Sequence, residues 1–399
     1  MREDWKVVPF GDVCEISGGS QPPKNNFIYE PRDGYIRLVQ VRDYRTDKYL
    51  TYIPIEKAKK FCTKLDIMIG RYGPPIFGIF SGIEGAYNVA LMKAIPNEEK
   101  LDKEFLRWFL KTHELVRFIE KTSKRAAGQD GVRKDRLYAY PTPIPPIQEQ
   151  KQIVAILDQA FTAIDQAKAN IEKNIVNAKE LFQSKLNAIF SQKGDGWEEK
   201  SLGEIGKGQT GTTPPTKDKT NYGDYIPFVK PPHFHQDGRI NSKESMLSEK
   251  GLEKGRLFPA NSILMVCIGA TIGKTGFSEI PVSANQQINA LTPSMNFIPK
   301  LLYFALISPF VQNQVISVGI SAQATLPIIN KSKWLKLKVN LPLNKTEQSV
   351  IVKNLENLKE NCFLVESKYR LKLSELDDLK KSILQKAFSG ELTQKEVEV

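Results

Sequence analysis

The sequence predicts an α+β protein: two pseudo-repeated lobes of mixed α/β structure, separated by two long helices that pair as a coiled coil. Three observations lead there. The 399-residue chain matches itself over nearly its whole length. Each copy ends in about 45 residues of heptad-spaced apolar side chains without Pro or Gly. Each copy begins with short β-rich runs broken by Gly and Pro turns.

The first copy opens at Trp5, Gly11, Asp12 and Val13 and continues to Gly19, Pro22 and Pro23. At an offset of 192 and without a gap stand Trp197, Gly203, Glu204, Ile205, Gly211, Pro214 and Pro215. Further along, Tyr35, Ile36 and Val39 match Tyr225, Ile226 and Val229, and the stretch from Asp66 matches that from Ser262. At an offset of 198, Glu149, Gln150, Leu181, Ser184, Phe190 and Ser191 recur as Glu347, Gln348, Leu379, Ser382, Phe388 and Ser389. The boundaries expected are a lobe over 1–146, a helix over 147–192, a lobe over 193–344, a helix over 345–389 and a tail over 390–399.

Within each lobe, β-rich runs fall at 35–41, 66–69 and 89–94, and at 225–229, 262–267 and 288–291. One amphipathic helix follows in each, over 103–122 and 299–317. Pro141, Pro143, Pro145 and Pro146 then stop any helix and open the first long one, and Pro342 does so in the second copy. The first long helix carries Ile153, Leu157, Ala160, Ile164, Ala167, Ile171, Ile175, Ala178, Phe182, Lys185 and Ile189 at steps of four and three. A second four-residue step at Ile171 to Ile175 interrupts the heptads. In the second helix, Ile351, Leu355, Leu358, Cys362, Val365, Tyr369, Leu373, Leu376, Lys380, Ile383 and Ala387 fall at the same steps. Helices matched in length and stutter are expected partners, each about 65 Å long at 1.5 Å per residue.

Composition narrows the class. With 41% hydrophobic residues the chain has material for real cores, and 57 Lys plus Arg against 45 Asp plus Glu give a net charge of +12. Residues 147–191 hold five Lys and five acids, 345–389 nine Lys or Arg and seven acids, and the tail is net negative. The positive surplus therefore sits in the two lobes, as in a DNA reader with a neutral internal ruler. An ordinary coiled coil between lobes that happen to be basic fits the same counts. The N-terminus has no apolar signal region and no stretch reaches the roughly 20 residues that span a bilayer, so a cytoplasmic protein without a membrane is expected. Cys14, Cys62, Cys267 and Cys362 are far apart and read as reduced thiols.

Catalytic motifs fail one by one. Gly269, Gly273, Lys274 and Thr275 resemble a phosphate loop, but three residues rather than four separate the glycines. The Pro-Pro tetrads beginning at Lys230 and Gly73 lack the Asp/Asn/Ser and the aromatic residue that amino-methyltransferases place around theirs. His233 and His235 supply half a metal site at most, with His113 remote. No cofactor, metal or catalytic residue is expected, and the chain reads as a non-enzyme. What remains is loop chemistry suited to nucleic acid. In the first lobe it comprises Ser20, Gln21, Lys24, Arg71, Tyr72, Gln129, Arg133 and Lys134. In the second it comprises Thr212, Thr213, Lys217, Lys219, Lys230, His233, Lys274, Gln286 and Gln287. Gln and Arg can pair bidentately with base edges, and Lys, Ser and Thr reach phosphate. Taken singly, each also fits an ordinary turn.

With these residues in view, the chain resembles the specificity subunits of type I restriction-modification systems. The resemblance rests on the lobe openings at Trp5 and Trp197, the glycine loop over 269–276, and the Pro-rich run into Gln148, Glu149 and Gln150. It covers nearly the whole chain and is closer in the second lobe than in the first, where 71–80 departs from the pattern. It implies two target recognition domains, each reading one half of a split double-stranded DNA site, held apart by antiparallel helices. It further implies two modification subunits and translocating restriction subunits as partners, with adenine methylation, DNA cleavage, S-adenosylmethionine, ATP and Mg residing there. A coiled-coil scaffold binding nucleic acid or protein without reading sequence is the alternative.

Overall fold

The computed structural model describes residues 2, 4–73, 76–123, 130–192, 194–235, 237–241, 243–319 and 327–393. The chain forms two compact units, one of Met1–Asn170 with Leu371–Val399, the other of Ile171–Arg370. The first unit is thus closed by the end of the chain.

The first lobe holds a four-stranded sheet in the order 14–18, 91–96, 67–70, 79–80, all antiparallel. A second sheet has the order 52–54, 35–39, 85–87, 61–62, with the central pair parallel. The second lobe repeats this plan: 206–210, 288–293, 262–266, 275–278 in one sheet, and 246–247, 222–229, 283–284 in the other, again with one parallel pair. The proline run is more than a helix stop. Pro141–Ile144 pairs antiparallel with Lys6–Pro9, and Lys338–Pro342 with Trp197–Ser201. These are two-stranded ribbons, where a proline can face away from the ladder without costing a hydrogen bond.

The single helix expected after each lobe's strands is instead two, Lys103–Phe109 with His113–Ser123, and Pro299–Leu306 with Pro309–Gly319. A buried hydroxyl marks each break: Thr112 Oγ1 donates to Phe109 O at 2.8 Å and Ser308 Oγ to Ala305 O at 2.6 Å. Such back-bonding competes with continuation of the helix. The second pair bends by 58° and buries itself in the core of its unit. No single described helix is long and apolar enough to cross a membrane.

The long helices run Ile147–Phe190 and Lys345–Ser389. In the first unit the start of the first lies beside the end of the second: Lys168 pairs with Asp377 at 2.7 Å and Lys380 with Asp165. In the second unit Lys179 pairs with Glu366 at 3.2 Å and Asn174 Nδ2 donates to Tyr369 Oη at 3.4 Å. Partners run in opposite directions along the two helices in both units, so the packing is antiparallel. Two expected seam positions are corrected. Lys185 is exposed and Leu186 is buried in its place, joining Phe190 in the core of the second unit. Val365 is exposed, and Glu366 turns inward to meet Lys179 and Arg370.

The repeated Trp and Glu-Gln pairs prove to be one joint. Trp5 Nε1 donates to Glu149 at 3.3 Å, and Trp197 Nε1 to Glu347 at 2.9 Å. The neighbouring glutamine is fully buried in both copies. Gln150 Nε2 donates to the carbonyls of Lys100 and Pro145 while its Oε1 accepts from Asp102 N–H. Gln348 does the same with Asn296, Pro342 and Ile298. Each amide side chain therefore satisfies three backbone groups that would otherwise be buried unpaired, which fixes the helix start to its lobe. At the far end, Phe388 packs on Phe105 and Phe109 in the first unit.

Candidate nucleic-acid interface

In the second lobe the strand Gly206–Thr210 leaves its sheet at Gly211. There the N–H of Gly211 donates to Ile288 O at 2.9 Å and that of Thr212 to Ala284 O at 2.9 Å. This close approach requires glycine: a Cβ on Gly211 would sit 2.2 Å from the Asn285 carbonyl oxygen. Thr213 Oγ1 then hydrogen-bonds Gln286 Oε1, and Asn285 Nδ2 donates to Gln287 Oε1 at 3.0 Å. Asn285 N–H donates to Val229 O, one residue before Lys230. Gln287 O accepts from Cys267 N–H, and Val266 N–H donates to Lys274 O. Thr212, Thr213, Lys230, Lys274, Gln286 and Gln287 are thus gathered at one end of the two sheets.

Lys217 and Lys219 lie on the following loop, exposed on either side of Asp218. The Asp218 carboxylate accepts from Thr220 and stands 3.5 Å from Lys250 and 3.3 Å from Lys254, and these hydrogen bonds hold it well below the usual carboxylate range. Lys250, Lys254 and Arg256 belong to this basic margin although their spacing gave no sign of it. Arg256 reaches back to donate to Thr210 O at 2.7 Å. His233 is buried. It is 7% exposed, its Nδ1 accepts from Lys230 N–H at 3.3 Å and its Nε2 lies 3.4 Å from Glu244. Burial lowers its pKa, with Glu244 opposing and Lys230 assisting. Its ring braces the turn that presents Lys230.

The first lobe repeats the geometry with other side chains. Gly19 N–H donates to Leu91 O and Ser20 N–H to Tyr87 O, and a Cβ on Gly19 would meet Asn88 O at 1.9 Å. Asn88 N–H donates to Val39 O, as Asn285 does to Val229. Arg71 N–H donates to Ala90 O and Tyr72 bridges to Gly131, which brings the segment before Arg133 and Lys134 to the same edge. The Arg71 guanidinium lies 5.0 Å from the Tyr72 ring centre, and its Nε is buried without a hydrogen-bond partner among the described residues. A buried unpaired donor in a basic loop is where an acceptor from a ligand would count most. Arg133 pairs with Asp135 at 2.6 Å. Gln21 and Lys24, exposed on the loop after Ser20, stand apart from this group. Gln129 lies outside the described residues.

Chemically the two clusters offer donors, acceptors and positive charge. Among the described residues no three His, Cys, Asp or Glu side chains gather as metal ligands. Burial pushes the Cys14 and Cys267 thiols up to about 12 and that of Cys62 to about 11, so these thiols are not nucleophiles near neutral pH.

A family model described as type I restriction modification DNA specificity domain matches residues 2–176 and again 194–374. Among curated relatives, the type I restriction enzyme HindI specificity subunit of Haemophilus influenzae is 32% identical over 180 residues, 43% of this chain and 39% of that protein. The chain thus spans well under half of that relative. The EcoBI specificity subunit of Escherichia coli is 24% identical, covering 98% of this chain and 87% of its own, and the putative MjaX specificity subunit of Methanocaldococcus jannaschii is 22% identical over 98% and 94%. Among solved structures, a chain from a type I R-M system described for its complex assembly and conformational transition superposes with a TM-score of 0.78. It shares 19% identity and the match covers 97% of this chain and 98% of that one. The HsdS subunit from Thermoanaerobacter tengcongensis gives 0.63 at 18% identity, covering 98% of both. At these identities the structural likeness speaks for the fold.

Proposed function

Since the chain belongs to the family of type I restriction-modification DNA specificity domains, carrying that domain twice, we propose that it is the DNA-reading subunit of such a complex and turns over no substrate itself. Each lobe reads one half of a bipartite, asymmetric double-stranded site. One observation carries this: the same backbone cluster, with glycine against an asparagine carbonyl, recurs in both lobes with different side chains around it. Equal frameworks with unequal donors, Ser20 and Arg71 against Thr212, Thr213 and Gln286, suit two half-sites of different sequence.

In this reading the long helices set the spacer and dock two modification subunits, which methylate adenine N6, while restriction subunits translocate and cut. S-adenosylmethionine, ATP and Mg belong to those partners. Exposed apolar side chains on the helices support docking: Val176, Leu181, Phe363 and Leu364 in the second unit, Leu371 and Leu379 in the first. Methylome sequencing of hosts with and without the chain tests the reading. Loss of one split adenine-methylated motif, with a modification subunit co-purifying, is the expected result; an unchanged methylome would favour a scaffold that reads no sequence. A matched insertion of two heptads in both helices adds about 21 Å, and the spacer should grow by roughly six base pairs at 3.4 Å each with both halves unchanged.

A further inference from the structure

The turn after the parallel strand is built alike in the two lobes but armed differently. In the second lobe it is Pro231–His233, with His233 accepting the Lys230 N–H. In the first it is Val41–Tyr44, with Asp43 Oδ2 accepting the Gln40 N–H at 3.3 Å. Both follow the valine whose carbonyl receives the asparagine N–H of the reading cluster, Val39 from Asn88 and Val229 from Asn285. Where the second lobe has Pro231 and Pro232, which offer no donor, the first has Val41 and Arg42.

Arg42 is held in place. Its Nη2 donates to Thr51 Oγ1 at 3.1 Å, the same oxygen that accepts from Gln40 Nε2, and the buried Asp43 carboxylate lies 3.9 Å from its Nε. Beside it opens a cavity of about 300 Å³ lined by Tyr29, Tyr49 and Tyr52 together with Arg42, Asp47 and Lys48. Tyr29 and Tyr49 at its edge are 70% and 53% exposed. The Arg42 and Lys48 cations lie 5.9 and 5.4 Å from the Tyr49 ring centre. The acid of the rim, Asp47, is engaged by Arg37 at 3.2 Å.

We infer that this cavity clamps one backbone nucleotide of the DNA beside the first lobe's half-site, with Arg42 and Lys48 on its phosphate and the three tyrosine rings against its deoxyribose. The proposal rests on the reading of the lobes as DNA-binding. A duplex presents phosphate and sugar, not base faces, to an open surface hollow, and a fixed guanidinium beside an ammonium matches phosphate. Tyrosine supplies an apolar face for the sugar with little side-chain entropy to lose. The clamp adds affinity on one side of the site only, since the second lobe's turn carries prolines there.

The test is a salt titration of DNA binding by the full chain assembled with its modification subunits, on the motif its methylome defines. Arg42→Ala combined with Lys48→Ala should weaken binding several-fold on all sequences and lower the slope of log affinity against log salt by about 1. Tyr49→Leu should weaken binding without changing the slope, and Tyr49→Phe should bind like the parent. The methylated motif should stay the same throughout, and unchanged melting temperatures of the free variants show that folding is intact. Parental affinity and slope in the double variant would overturn the clamp while leaving the DNA-reading function standing. So would a relaxed motif, which would make Arg42 a base reader. If the parent complex discriminates no sequence at all, the function and the clamp fall together.

Discussion

Gly19 and Gly211 stand where no side chain fits, against carbonyl oxygens at 1.9 and 2.2 Å from an imagined Cβ, whereas Gly18 next to Gly19 has open space. Gly211→Ala is therefore expected to cost about 1–3 kcal/mol as the loop shifts and to weaken reading of one half-site. Gly18→Ala should change neither, and thermal unfolding with DNA titration separates the two. His233 makes a prediction in pH. Its folded pKa lies below the ordinary 6.5 because burial disfavours the charged imidazolium. The neutral ring's contribution is thus complete above about 6.5 and is lost as pH falls from there through the folded value. Stability of the chain measured from pH 8 to 5 should decline over that lower range, and His233→Asn should flatten the decline.

At the scale of elements, the joint between lobe and helix concentrates its hold in a few side chains. Trp197→Phe removes a 2.9 Å hydrogen bond to the Glu347 carboxylate while keeping most of the ring's packing, and should cost about 1.5–3 kcal/mol, the range for bonds to charged groups. Denaturant unfolding of the variant checks it, and a loss under 0.5 kcal/mol would mean that the bond is largely offset by hydration. This joint shows how far the sequence could be read. Trp197 and Glu347 are visible as repeats because both copies keep the same residue types, but nothing in a linear pattern says that residues 150 positions apart meet. The long helices were legible because apolar spacing is a local signal. Lys185 and Val365 misled because the end of the first helix turns its next residue, Leu186, into the lobe core, and Glu366 finds a cation across the seam. The helix breaks at Thr112 and Ser308 were hidden, since a hydroxyl that bonds its own backbone looks like any helical Thr or Ser. Arg42 gives no signal in the sequence because its turn matches that of Lys230 to His233 in backbone geometry and in no side chain.

For the whole molecule, the repeat makes the lobes exchangeable parts. Replacing residues 193–344 with the corresponding lobe of a relative that reads another motif should change one half of the methylated sequence and leave the other half and the spacer as they were. Methylome sequencing of the chimera reads this directly, and a change in both halves would mean that the lobes do not read independently. The way the chain closes has a further consequence, for synthesis rather than for recognition. The second unit is one uninterrupted stretch, Ile171–Arg370, whereas the first borrows Leu371–Val399, including the Phe388 ring that covers Phe105 and Phe109. On a ribosome moving at roughly 5–20 residues per second, the half that is made first must wait for the last residues before its apolar surface is sealed. A released chain truncated after Arg370 should accordingly resist protease over 171–370 and be cut within 1–146. The order of completion is the reverse of the order of translation.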